Sequence, residues 1–148
     1  MKSVLYVEDD ADVSHYMQVA AVEAGLDLFL AESADEARAL INGACSFDLA
    51  VLDERMPGAP GHTLLEILDS RDIPAVFYTA FAVPSDCNGH VVYDKGEIDQ
   101  MDLAGRIADG RIEDDARIAK LTIICDTVKQ NTERIERAAT YFEKRNYG

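Results

Sequence analysis

The sequence predicts an α/β fold in which a five-stranded parallel sheet carries helices on both faces. Two observations support this. Five short apolar runs are spaced along the first two thirds of the chain, and stretches with helical spacing of apolar residues lie between most of them. The runs are also near-continuous in apolar residues, as strands covered on both faces should be, rather than alternating. Strands alternating with helices imply right-handed βαβ units.

The strands are expected at VLYV (4–7), LFLA (28–31), DLAVL (48–52), AVFYT (75–79) and VVY (91–93). Val13, Met17, Ala21 and Ala24 mark a first helix, with Gly25 as its stop. A second opens at Ser33-Ala34-Asp35-Glu36, a capping-box pattern, and buries Ala37, Leu40, Ile41 and Ala44. Leu64, Leu65 and Leu68 mark a third after the Pro/Gly-rich turn at 57–61, and Ile98, Met101 and Ile107 another after the last strand. Only 15 residues separate Thr79 from Lys95, and they include Pro84, Ser85, Asp86, Asn88 and Gly89. That composition suits a loop, so the helix between the fourth and fifth strands is expected to be shortened or missing.

Composition narrows the class. The chain has 148 residues, 48% of them hydrophobic, which fits an ordinary globular domain. No apolar run reaches the roughly 18 to 20 residues of a membrane span, and the acidic residues of MKSVLYVEDD come too early for a signal peptide. Cys45, Cys87 and Cys125 are too widely spaced for a disulfide framework or zinc motif, and are expected to be buried small apolar residues in a reducing cytoplasm. His15, His62 and His90 show no metal spacing and read as surface residues.

The net charge of −14 disfavours nucleic acid or an anionic membrane as direct partner. Residues 111–148 carry 8 Lys/Arg against 7 Asp/Glu, leaving 6 basic and 21 acidic residues in the first 110. This contrast separates an acidic globular part, 1–110, from a charge-balanced extension, 111–148.

Doubly wound sheets place functional side chains at the carboxyl ends of their strands. Glu8, Asp9 and Asp10 follow the first strand, Asp53 the third, Thr79 ends the fourth and Lys95 follows the fifth. Taken singly each has an ordinary reading: EDD as the acidic start of a helix, Asp53 and Lys95 as solvated turn residues. Together they form a crevice whose carboxylates would repel one another unless a hard cation neutralised them. All-oxygen ligands suit Mg²⁺, or Mn²⁺ in its place. A lysine and a hydroxyl facing Asp53 would complement a phosphoryl group on it.

YVEDD (6–10), LDERMPGAPG (52–61), YTA (78–80) and DKG (94–96) resemble the signature regions of response-regulator receiver domains, over about residues 1–110. The spacing from Asp53 through Met56-Pro57 to Gly61 is the most specific part. The resemblance implies a flavodoxin-like sheet of order 2-1-3-4-5. It also implies that Asp53 is the phosphoacceptor in a two-component system, with Glu8, Asp9, Asp53 and the backbone carbonyl of Arg55 as metal ligands. Thr79 and Lys95 would contact the phosphoryl group, Ala80 would leave room for the donor, and Arg55 and Phe81 would tune dephosphorylation. The partner would be a histidine kinase or phosphotransfer protein.

Two further departures from the family pattern stand out. Gly96 replaces the usual proline after the lysine, so the Lys95–Gly96 bond is expected to be trans, or cis only under strain. Val92 stands where a switching aromatic is usual; Tyr93, one residue later, should face the opposite side of the strand.

Residues 111–146 read as one long helix. Leu121, Val128, Ile135 and Phe142 recur every seven residues, with Ile124, Asn131 and Ala138 three later and Cys125, Thr132 and Ala139 four later. This pattern is compatible with packing on the chain's own domain, with a short coiled coil between copies, or with a linker. The extension is expected to cover the sheet edge bared by the missing helix, in cis or from a second subunit. It has no His, which excludes a histidine phosphotransfer helix, and no basic stripe for DNA.

Three functions follow: a phosphorylation-controlled module that is not itself an enzyme and acts through protein contacts or dimerisation; a receiver-fold structural module with weak or absent phosphorylation; or an aspartate-nucleophile phosphatase. The last would want a carboxylate two residues after Asp53, where Arg55 stands.

Overall fold

A computed structural model describes residues 1–43, 46–84, 87 and 89–147, with side chains through Lys144. The sheet consists of β1 (Ser3–Val7), β2 (Asp27–Ala31), β3 (Leu49–Leu52), β4 (Ala75–Thr79) and β5 (Val92–Asp94), all parallel and ordered β2-β1-β3-β4-β5. The third strand starts one residue later than expected, because Asp48 instead accepts a hydrogen bond on its carboxylate from the Ser3 amide at 2.9 Å.

Side chains alternate between the faces, so each strand feeds two cores. Val4, Tyr6, Val51, Val76, Tyr78 and Tyr93 face α1 (Ala11–Ala24) and α4 (Gln100–Ala108). Leu5, Val7, Leu52 and Phe77 face α2 (Ala34–Asn42) and α3 (Leu65–Ser70), the latter led in by a 3₁₀ turn at Gly61–Leu64.

Local chemistry sets the helix ends. The Asp10 carboxylate caps α1 by accepting from the Asp12 and Val13 amides, and Gly25 ends the helix in the left-handed region at φ 74°. Ser33 accepts from the Glu36 amide as the capping box requires, but Glu36 reaches back to the Glu32 amide, one residue beyond the reciprocal position. On α4 the buried stripe is Leu103, Ala104 and Ile107; of the residues that mark this helix in the sequence, Met101 lies in it but is exposed, and Ile98 precedes it. Ala44 and Cys45 lie outside the described residues.

Between β4 and β5 there is no α-helix among the described residues, as the composition of that segment requires; Ser85, Asp86 and Asn88 lie outside them. The 37-residue α5 (Arg111–Tyr147) takes over part of the uncovered area in cis. It starts after Gly110, at φ 82°, and buries Ile112 and Ala116 against Tyr93 and Val76. Lys120 then bridges to Asp69 at 2.7 Å at the end of α3, and Ile123 reaches Gly89 so closely that a Cβ there would meet it at 2.8 Å. A groove of about 430 Å³ remains between α3, the starts of β4 and β5, and α5. From Ile124 to Lys144 every α5 residue is exposed. The expected covering in cis therefore involves only the first turns of the helix. Cys125 lies in the exposed part, contrary to the expectation that the cysteines are buried, because it falls beyond the docked turns; Cys87 is buried.

Candidate functional site

The parallel topology brings the ends of β1, β3, β4 and β5 to one edge. Carboxylate oxygens of Glu8, Asp9 and Asp53 lie within 4.8 Å of one another there. Glu8 and Asp53 are buried and Asp9 is exposed. Two buried carboxylates and a third at the rim form a strongly negative crevice with an opening to solvent.

Lys95 enters from the end of β5. Its Nζ donates to Asp53 Oδ2 at 3.1 Å and to Glu8 Oε2 in a shorter bond. No cis peptide bond occurs among the described residues, so Lys95 reaches both carboxylates with a trans bond to Gly96. Burial pulls the ammonium down, but the bonds and charges of Glu8 and Asp53 outweigh it and hold the group above its ordinary value. For Glu8 the balance runs the other way. Burial pushes its carboxyl up to about 7, Asp53 adds to the rise, and the bond from Lys95 only partly opposes it.

The single ammonium does not satisfy the crevice. Asp53 Oδ1 is buried and has no hydrogen-bond partner. An unpartnered buried carboxylate oxygen is costly, and a hard divalent cation held by oxygen ligands would both pair it and offset the repulsion. The donor set fits such an ion: all oxygen, with one ligand at the solvent rim that leaves room for water.

The loop after Asp53 is held by backbone contact. Gly61 donates its amide to the Glu54 carbonyl at 3.0 Å, and a Cβ at this position would sit 2.0 Å from the Asp53 carbonyl oxygen. The glycine of the Asp53–Gly61 spacing is thus required for close approach rather than for unusual dihedral angles. Within the loop, buried Glu54 accepts from the His62 ring at 2.6 Å. His62, expected as a surface residue, is half-buried and braces this loop. Nothing in the local sequence signals the pair, because its members are eight residues apart around an irregular turn.

Thr79 is buried at the end of β4, and its hydroxyl accepts from the Phe81 amide at 3.2 Å. The guanidinium of Arg55, two residues after Asp53, stacks at 4.3 Å over the ring of Phe81, two residues after Thr79. Val92 is exposed and Tyr93 buried on the α1/α4 face, as alternation along the strand requires, and the Tyr93 hydroxyl donates to Asp115 of α5 at 2.9 Å. The aromatic at this strand end is thus tied to the tail instead of facing Thr79.

The profile of the response regulator receiver domain matches residues 4–94. This chain belongs to that family. The receiver domain also aligns with solved structures of the same fold. A CheY-like receiver domain from Methanospirillum hungatei is 22% identical, with 79% of this chain and 98% of that one covered at a TM-score of 0.66. The receiver domain of the hybrid histidine kinase CckA is 26% identical over 74% and 98%, at 0.60. The response regulator TrrA from Thermotoga maritima, solved in complex with Mg²⁺ and BeF, is 27% identical over 60% and 77%, at 0.52. No curated protein sequence matches the chain. Among the described residues no helix is long and apolar enough to cross a membrane.

Proposed function

We propose that this response-regulator receiver domain accepts a phosphoryl group on Asp53 from a phosphohistidine of a histidine kinase or phosphotransfer protein. The observation that carries this reading is the state of Asp53 itself. It is a buried carboxylate with one oxygen bonded to Lys95 and the other unpartnered, beside two further carboxylates. An Asp53 oxygen attacks phosphorus, the P–N bond breaks and the imidazole leaves. Glu8, Asp9, Asp53 and the Arg55 carbonyl would hold Mg²⁺ or Mn²⁺, which when bound would supply charge compensation for the transferring oxygens. Lys95 exchanges its contact with Asp53 for one with the phosphoryl group, and Thr79 gives up its bond to the Phe81 amide to donate to a phosphoryl oxygen. TrrA, crystallised with Mg²⁺ and BeF, offers a precedent for the mimic of the phosphoryl group.

The chain turns over no substrate in this reading. A receiver in the reducing cytoplasm meets its kinase by diffusion, and its output passes through protein contacts, self-association through helix 111–146 included. DNA and membrane surfaces are not its partners, given a net charge of −14.

Incubation with Mg²⁺ and beryllofluoride, or with a small acyl-phosphate donor, tests the reading. Wild type is expected to gain one Asp53-linked modification or a spectroscopic response that Asp53→Asn lacks. If both proteins behave alike, the fold serves as a structural module and the phosphoryl chemistry is wrong.

A further inference from the structure

Past its docked first turns, α5 presents a continuous apolar stripe to solvent. Ile118, Leu121, Val128, Ile135 and Phe142 are between 58% and 70% exposed. The smaller Cys125, Thr132 and Ala139 fall between them and are exposed as well. The spacing alternates three and four residues without interruption from Ile118 to Phe142. A mean period of 3.5 keeps a stripe facing one neighbour when two helices supercoil left-handed.

The stripe points away from the chain's own body. At about 100° per residue, Leu121 lies roughly 140° around the helix from Ala116 and 160° from Ile123, the residues by which α5 seats on the sheet. A second helix can lie along the stripe from Ile118 onward without displacing the docked turns. Covering the five large side chains on two helices removes on the order of 1,000 Å² of surface from water, the lower limit of a specific interface.

We infer that the occupant of this stripe is α5 of a second copy of this chain. Charge favours a copy of itself over a strongly charged partner. The first 110 residues carry 6 basic and 21 acidic side chains and repel their like, whereas residues 111–148 carry 8 and 7. The extension is thus the part on which two copies meet without net repulsion. Residues flanking the stripe are mixed: Thr122, Lys129, Glu136 and Glu143 on one side, Ile124, Asn131 and Ala138 on the other. The helix also needs a partner for its own stability. Its β-branched content between Thr122 and Thr132 makes it a mediocre lone helix in water, so tertiary or quaternary cover must hold it. The inference gives a surface to the proposed output by protein contact and does not depend on the phosphoryl chemistry.

Sedimentation equilibrium of the full chain tests it. Wild type is expected at no less than twice the 16.3 kDa chain mass, and Leu121→Glu/Ile135→Glu at 16.3 kDa. Both altered residues are exposed in the single chain, so the body of the variant is expected to keep its Asp53-dependent response to beryllofluoride, with any loss of helical circular dichroism no larger than the uncovered part of α5 accounts for. Gln130→Glu, on the face opposite the stripe, should leave the wild-type mass unchanged. A wild-type mass of 16.3 kDa overturns the inference, as does an oligomer that persists in the double variant. Loss of the beryllofluoride response in wild type would bear on the phosphoryl reading alone.

Discussion

The Tyr93 hydroxyl donates to the Asp115 carboxylate at 2.9 Å, joining the strand that leads to Lys95 to the first turns of the long helix. Val92, at the position where an aromatic would have faced the crevice, leaves that role open. The tyrosine one residue later couples β5 to α5 instead. Tyr93→Phe keeps the ring in its core and removes only this bond. Asp115 is exposed and recovers water, so the loss is expected to be about 0.5–1.5 kcal/mol, read as a lower urea midpoint with unchanged slope. Faster amide exchange should appear in residues 111–120 and not in α1. An unchanged exchange pattern would mean that the bond does not anchor the tail.

Glu8 carries a pH dependence of defined sign. Its carboxyl is held at about 7 in the folded chain against an ordinary 4.5. Between those values the folded state binds more protons than the unfolded one, so stability falls as pH rises. In chelator, wild type is expected to unfold at a higher temperature near pH 5 than near pH 8, and Glu8→Gln to show a flatter profile. Divalent metal should reverse the trend, since it competes with the proton. Thermal melts across pH with and without Mg²⁺ decide the matter.

Gly61→Ala places a methyl group where the Asp53 carbonyl oxygen stands 2.0 Å from the ideal Cβ. The loop must move, at a cost of roughly 1–3 kcal/mol, and the Asp53 side chain moves with it. A drop in Mg²⁺ affinity well beyond the stability loss, followed by titration calorimetry, is the expected outcome. Intact affinity would show that the loop relaxes without disturbing Asp53.

His62→Ala leaves buried Glu54 without its ring partner at 2.6 Å. The other Glu54 oxygen already lacks one, so the carboxylate keeps only the long 3.3 Å bond from the residue 62 amide. Destabilisation of about 1–3 kcal/mol is expected, and Glu54→Gln/His62→Ala should recover part of it because an amide is cheaper to bury than a charge. Urea denaturation of both variants measures the difference.

Arg55 and Phe81, two residues beyond Asp53 and Thr79, stack on each other at 4.3 Å. If Asp53 is phosphorylated, Arg55→Ala or Phe81→Ala should shorten the lifetime of the acyl phosphate by admitting water, with little change in stability because both lie at the surface. A lifetime equal to wild type would remove the stack from any timing role.

Much of the site was legible in the sequence because a doubly wound sheet converts order along the chain into position in space. Acidic residues after the first strand, Asp53 after the third and Lys95 after the fifth converge once the strands are parallel, and the fold leaves little freedom in where they go. The spacing from Asp53 to Gly61 was equally readable, although its reason, contact with a carbonyl oxygen, appears only in three dimensions. The absence of an α-helix among the described residues before β5 followed from loop-forming residues, and the side of Tyr93 from strand alternation.

Tertiary structure decided the remainder. The contacts Glu54–His62 and Arg55–Phe81 both start from the irregular loop after Asp53, whose path no periodicity encodes. The tail shows the same division. Its seven-residue repeat is a property of the sequence, but that repeat cannot say which turns rest on the body. Docking is set by the left-handed Gly110, by the bond from Tyr93 to Asp115, and by the distance at which Lys120 meets Asp69. These fix the helix by Ile112, Ala116 and Ile123, off the line of the repeat, and so turn the apolar stripe outward. Sequence determined that the chain has a stripe and an acidic crevice with a lysine at its mouth; packing geometry, which depends on contacts between distant residues, decided that the two face different surroundings and are linked through β5.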